Sequence, residues 1–167
     1  DVVDFGTESA YHARALYMQG WSRFKQGRYQ PAIASFTSTL DQVLPGDHRM
    51  EVLPRGEREL AQDCLRVMAL SFSYLDGPDS IAAAYREMGE RRWLQLPYRA
   101  LGDLSLSQDR YLDSARSYRA FAQRYPDSER AHQFQMSVIE AYEAGGFGAE
   151  VLAEKQRYVQ DYSVGSA

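Results

Sequence analysis

Two stretches of the chain repeat one another. Gly20, Gly27, Tyr29, Ala32, Phe36 and Pro45 stand in the same order, and at nearly the same intervals, as Gly102, Asp109, Tyr111, Ser114, Tyr118 and Pro126. A small residue, a turn residue, an aromatic, a small residue, an aromatic and a proline at such spacing describe two helices joined by a tight turn. A lone pair of this kind cannot bury its apolar face, so copies must stack on one another. The pattern therefore restricts the chain to an all-α solenoid.

A pass along the chain assigns the units. Residues 1–8 carry no clear period and are left unassigned. From Ser9, taken as an N-cap, Ala13, Leu16, Tyr17, Gly20, Trp21 and Phe24 recur at helical spacing and make one apolar face. Gly27 ends that helix, and Tyr29, Ala32, Ile33, Phe36, Leu40 and Val43 carry the returning one, stopped by Pro45-Gly46. Residues 46–56 read as an inserted polar loop. Helix is expected to resume near Glu57, with Leu60, Cys64, Val67, Met68, Leu70, Phe72 and Leu75 apolar, and Asp76-Gly77-Pro78 turning into a partner helix through Ile81, Ala84, Tyr85 and Met88. A further turn is placed at Trp93 and Pro97. The third unit follows to Tyr125-Pro126, and a fourth runs from Phe134 through a Gly145-Gly146 turn to Tyr162. Expected units are 9–45, 57–93, 95–126 and 128–163, with 164–167 as a tail. Ala69 to Gly102 and Gly102 to Val138 lie close to the period of roughly 34 residues, while Gly20 to Ala69 exceeds it by about 15, an excess that falls at the inserted loop.

At these residues the chain resembles the tetratricopeptide repeat family. Units one and three carry the pattern well. Unit two departs with Pro78 in place of an aromatic and Ile81 in place of an alanine, and unit four has Glu150 at the corresponding alanine position. The resemblance implies a right-handed α-solenoid of about four antiparallel helix pairs that binds protein. The endings Gln123-Arg124-Tyr125-Pro126-Asp127-Ser128 and Tyr158-Val159-Gln160-Asp161-Tyr162 are similar to repeat boundaries of bacterial periplasmic members, which implies a periplasmic or cell-envelope home, with the cytoplasm as the alternative. The chain begins at Asp1 rather than Met, so it is expected to be a processed product or an excised domain.

Composition excludes several functions. A net charge of -4 supplies no basic field for a nucleic-acid backbone. No apolar run approaches the ~20 residues of a membrane span. His12, His48 and His132 are scattered, and the single cysteine, Cys64, has no CxxC partner or neighbouring histidine, so neither a metal site nor a cofactor is expected. Cys64 reads as a small buried hydrophobe. Nothing in the chain assembles a nucleophile, base and oxyanion donor, and the protein is expected not to be an enzyme. Glycines 145, 146 and 148 around Phe147 fall at a helix–helix turn and are assigned to flexibility there. Glu90-Arg91-Arg92-Trp93 pairs bases with an aromatic that would suit an anionic headgroup, against a plain inter-repeat turn.

Binding is the better expectation. The resemblance implies a concave face lined by the first helix of each unit, and that register selects Arg14, Tyr17, Trp21, Phe24 and Lys25 in unit one. Asp63, Arg66, Leu70, Ser73 and Tyr74 follow in unit two, Arg99 and Asp103 in unit three, and Gln135 and Ile139 in unit four. Of these, Arg14, Tyr17, Trp21, Lys25, Arg66, Leu70, Arg99, Asp103 and Gln135 form the candidate partner-binding set. Trp21 and Tyr17 would anchor an apolar segment while Arg66 and Arg99 fork to a carboxylate. Against this, Trp21 would pack under Val2, Val3 and Phe5, and the arginines would pair with Asp63 and Asp103. Family members that clamp a chaperone's terminal carboxylate use lysine and asparagine where this chain has Tyr17, Trp21 and Val67, so that clamp is not expected. The function read from the sequence is a non-catalytic scaffold that holds a protein or peptide segment. The alternatives are a structural module that packs on its parent chain or on another copy, and an accessory domain of an enzyme.

Overall fold

A computed structural model describes residues 2–44 and 49–163, with side chains from Glu8 onward. Pro45, Gly46, His48 and the tail at 164–167 lie outside the described residues. Those residues form eight α-helices and no strand: α1 (Val2–Lys25), α2 (Tyr29–Val43), α3 (Arg55–Tyr74), α4 (Pro78–Met88), α5 (Gln95–Ser107), α6 (Tyr111–Arg124), α7 (Ala131–Gly145) and α8 (Gly148–Ser163). A single 3-10 turn, Met50–Val52, lies before α3. This is the helical solenoid that the repeat pattern predicts. Among the described residues no helix is long and apolar enough to cross a membrane.

The first helix begins well before Ser9. It is continuous from Val2, so residues 2–8 are helical and Ser9 is not a cap. No proline interrupts this stretch, and a single Gly6 is too weak a breaker to stop helix propagation. Pro97 also differs from expectation, since it lies in the first turn of α5, where a proline ring costs no hydrogen bond.

The turn inside each pair is closed by a backbone bond that reaches back five residues. Arg28 N–H donates to Arg23, Gly77 to Phe72, Arg110 to Ser105 and Phe147 to Tyr142, at 2.8–2.9 Å. This bond satisfies a helix-end carbonyl that would otherwise be orphaned. The residue before the donor stands at positive φ in the first, third and fourth turns, as Gly27, Asp109 (φ 57) and Gly146, while in the second the donor Gly77 itself does. Asp109 Oδ1 accepts a hydrogen bond from Tyr111 at 3.0 Å.

Within the first and third pairs an aromatic ring lies directly on a glycine. A Cβ added to Gly20 would stand 2.7 Å from the Phe36 ring, and one on Gly102 would stand 2.2 Å from the Tyr118 ring. Ser114, at the repeat's alanine position, donates to the Gly102 carbonyl at 2.8 Å and stitches the same crossing. Gly145 has a similar reason to be glycine, because a Cβ there would meet Phe147 and Tyr111 at 2.6 and 2.8 Å. Close packing, more than flexibility, explains that residue.

The helices stack in order, α1 on α2, α2 on α3, α3 on α5, α5 on α6, α6 on α7 and α7 on α8, while α4 touches its neighbours only lightly. One core runs through the stack and includes Phe36, Leu40, Met68, Phe72, Ile81, Trp93, Tyr98, Leu101, Phe134 and Val138. Trp93 is buried edge-on against Tyr85, at 5.7 Å between centroids, and fills the space behind the short α4.

Candidate partner-binding face

Four of the sequence-selected residues converge where α1 meets α3. Tyr17, Trp21 and Arg66 all donate to one carboxylate, Asp63. Tyr17 Oη stands 2.5 Å from Asp63 Oδ2, Trp21 Nε1 stands 3.2 Å from the same oxygen, and Arg66 forks onto Oδ1 at 2.6 and 3.0 Å. Trp21 and Tyr17 lie one helical turn apart, so both reach the same point on the neighbouring helix. Burial works against the Asp63 charge, but the hydrogen bonds from Tyr17, Arg66 and Trp21 outweigh it and hold the carboxyl below its usual range. The Tyr17 phenol is pushed up, first by burial and then by its bond to that carboxylate.

The arginine expectations divide. Arg66 pairs with Asp63 and lies over the Trp21 ring at 5.6 Å. Lys25 takes the same ring at 5.9 Å. Arg99 does not pair with Asp103. Its guanidinium lies 4.9 Å from the Tyr118 centroid and 4.2 Å from that of Phe134, and it donates to Ser137 Oγ at 2.6 Å. Asp103 instead accepts from Tyr118 at 2.5 Å. An aromatic slot between Tyr118 of its own pair and Phe134 of the next offers the weakly hydrated guanidinium more contact than an exposed carboxylate on its own helix. Burial, followed by the Asp103 hydrogen bond, pushes the Tyr118 phenol up to about 12.

Three members of the set remain. Gln135 donates to Asp161 of α8 at 2.9 Å, so it faces its own pair and not the others of the set. Arg14 is exposed at a separate cleft of about 370 Å³ between α1 and α3. Leu70 is half-buried on α3. Trp21 takes its polar partner from α3, and the side chains of Val2, Val3 and Phe5 lie outside the described set.

Beside the Asp63 cluster is a group of four rings. Phe24 contacts Trp21 at 5.8 Å, Tyr29 at 5.7 Å and Tyr74 at 6.3 Å, and Tyr29 contacts Tyr74 at 5.1 Å. Tyr74 keeps 58% of its surface exposed. This aromatic group is edged by the charges of Lys25, Asp63 and Arg66.

Other sequence features resolve as structure. Arg91 bonds to Asp41 at 3.0 Å and to the Met88 and Gly89 carbonyls, Glu90 pairs with Arg124 at 3.4 Å, and Trp93 is core, so residues 90–93 form an inter-repeat turn. Cys64 is fully buried, and burial pushes its thiol up to about 12. Among the described residues no group of three or more His, Cys, Asp or Glu is arranged to hold a metal.

Sequence reasoning missed Glu154. It is buried on α8 and bonded to Arg119 of α6 and, at 3.0 Å, to Arg157, while Arg119 also donates to Tyr142 at 2.9 Å. The signal was available, because Glu154 follows Val138 at the interval by which Phe36 follows Gly20 and Tyr118 follows Gly102.

Residues 14–43 match the family model of the tetratricopeptide repeat, a span covering the second half of α1 and all of α2. The match supports the tetratricopeptide repeat family, whose repeats are generally protein–protein interaction modules and typically non-catalytic. No curated protein and no solved structure matches the chain.

Proposed function

We propose that the chain is a non-catalytic scaffold that holds a segment of a partner protein across the face formed by α1, α3 and α5. The observation that carries this reading is the ordered aromatic group of Trp21, Phe24, Tyr29 and Tyr74, open to solvent at Tyr74 and bordered by the charges of Lys25, Asp63 and Arg66. A partner's apolar side chain would dock on the rings, and the charges would set its register. Arg99, already seated between two rings, would shape the neighbouring surface more than bind a carboxylate itself. The endings around Tyr125-Pro126-Asp127-Ser128 support a bacterial cell-envelope setting for this role, in the periplasm.

The test is capture from native envelope and cytosolic extracts by wild type beside a Trp21→Ala, Tyr74→Ala double variant. Both residues are at least partly exposed, so the variant should keep its helical circular dichroism. A partner retained by wild type alone supports the reading, and identical capture by both forms defeats it.

Exposed apolar stripes at the two ends of the stack favour a second reading. Tyr11 and Met18 lie two turns apart on α1, as do Leu152 and Val159 on α8. A structural role would cover these stripes with a second copy or with other parts of the parent chain. Sedimentation that shows concentration-dependent association, lost in Met18→Glu or Val159→Glu, would move the assignment there.

A further inference from the structure

A groove of about 660 Å³ lies between α2 and α4, on the side of the second helices. Its apolar part includes Pro31, Ile33 and Ala34 of α2 and Ala83, Ala84 and Met88 of α4. The two helices are joined by a buried hydrogen bond between Thr37 and Tyr85, 2.8 Å long. The light packing of α4 follows from its proline start and short length, and it leaves the groove open. Three small alanines make the walls shallow, so another backbone can approach closely.

The polar lining is one-signed. Asp76, Asp79 and Glu87 are the charged residues of the groove, and no lysine, arginine or histidine lines it. Asp79 already accepts a guanidinium, Arg116, at 2.7 Å. Asp76 and Glu87 are exposed, and neither carboxylate has an ion-pair partner among the described residues. Tyr74, the exposed ring of the aromatic group, also lines the groove and offers a face for a cation.

We infer that this groove docks a cationic amphipathic helix of a partner protein, with its apolar stripe on Ala34, Ala83 and Ala84 and its Lys or Arg side chains on Asp76, Glu87 and Tyr74. The length fits, since the 11 residues of α4 present about three helical turns. An apolar stripe between basic flanks suits a lining that is apolar below and acidic at the rim. The same rim repels anionic lipid and nucleic acid. This site goes beyond the proposed α1–α3–α5 face, with which it shares Tyr74, and the Trp21→Ala and Ala83→Trp arms of the test tell the two apart.

The probe is a fluorescein-labelled three-turn helical peptide with a leucine stripe flanked by lysines, beside a matched peptide with glutamates for lysines. Anisotropy is measured on the whole chain, and the lysine peptide should bind at least tenfold more tightly than the glutamate one. Glu87→Lys with Asp76→Lys should weaken it at least tenfold and reverse the preference between the peptides. Ala83→Trp, an exposed helical position, should block both by filling the groove, which keeps the test decisive if the charge reversal disturbs the turn at Asp76. Trp21→Ala should leave binding unchanged. Equal binding of both peptides, or lysine-peptide binding unaltered by Ala83→Trp, overturns the inference. Loss of binding in Trp21→Ala with Ala83→Trp unaffected also overturns it and assigns the peptide to the α1–α3–α5 face.

Discussion

Compare the first helix pair with the last. In α1–α2 the second helix is seated by Phe36, which is fully buried on Gly20; in α7–α8 the residue at the same point of the repeat is Glu154, 5% exposed, following Val138. Tyr85 and Tyr118 hold that point in the middle pairs, each 2% exposed. Burial of the position is common to all four, but what is buried changes from an aromatic ring to a carboxylate. The ring gains by leaving water and by filling the gap a glycine leaves. The carboxylate gains only because Arg119 and Arg157 meet it, and Glu154 is the one buried residue of α8. Repeat position therefore dictates depth, while the local partners dictate chemistry. At this position the first pair is held by packing and the last by charge.

The comparison can be broken most severely at Phe36. Phe36→Ala should destabilise the fold by about 3–5 kcal/mol in denaturant unfolding, because a fully buried ring leaves a cavity over Gly20. Glu154→Ala should cost about 2 kcal/mol, less than a fully enclosed pair, since the Arg119 side chain is 28% exposed and reaches some water. Its effect should be local, with hydrogen-exchange protection lost in α8 and kept in α1–α2. Equal loss in both pairs would end the distinction between packing and charge. Gly102→Ala sharpens the ring-on-glycine half of the comparison and should cost about 1–2 kcal/mol as Tyr118 is forced outward.

The smallest effect concerns the α1–α3 contact. The Asp63 carboxyl titrates lower in the fold than in the unfolded chain, so its contribution is present above the ordinary carboxylate range of about pH 4 and is lost as pH falls through the lowered value. Acidification should change Trp21 fluorescence through the broken Nε1 bond, and Asp63→Asn should remove the pH dependence. A fluorescence profile shared by wild type and variant would assign the change elsewhere.

Much of the fold was legible because the repeat rests on local chemistry. Glycines at crossings, positive-φ residues at turns and aromatics at fixed intervals each have one packing reason, and Pro78 marked the α4 start directly. The start of α1 was not legible, since residues 2–8 carry little amphipathic period and the helix there is continuous with a stronger one. At the candidate face, helical spacing showed that Tyr17 and Trp21 share a side, and Arg66 with Asp63 was readable as neighbours on one helix. The expected pairing of Arg99 with Asp103 failed for the opposite reason: the partners of Arg99, namely Tyr118, Phe134 and Ser137, lie on other helices. Gln135 likewise turned toward α8, guided by Asp161.

By itself the sequence determined the stack of helix pairs, because periodicity, caps and small-residue crossings act over a few residues along the chain. Only the tertiary structure decided which charges are spoken for, that Glu154 is buried, and that α4 stands far enough from α2 to open a groove. Those outcomes depend on which side chains approach across neighbouring helices, and Coulomb and packing energies fall off over distances that sequence separation does not measure.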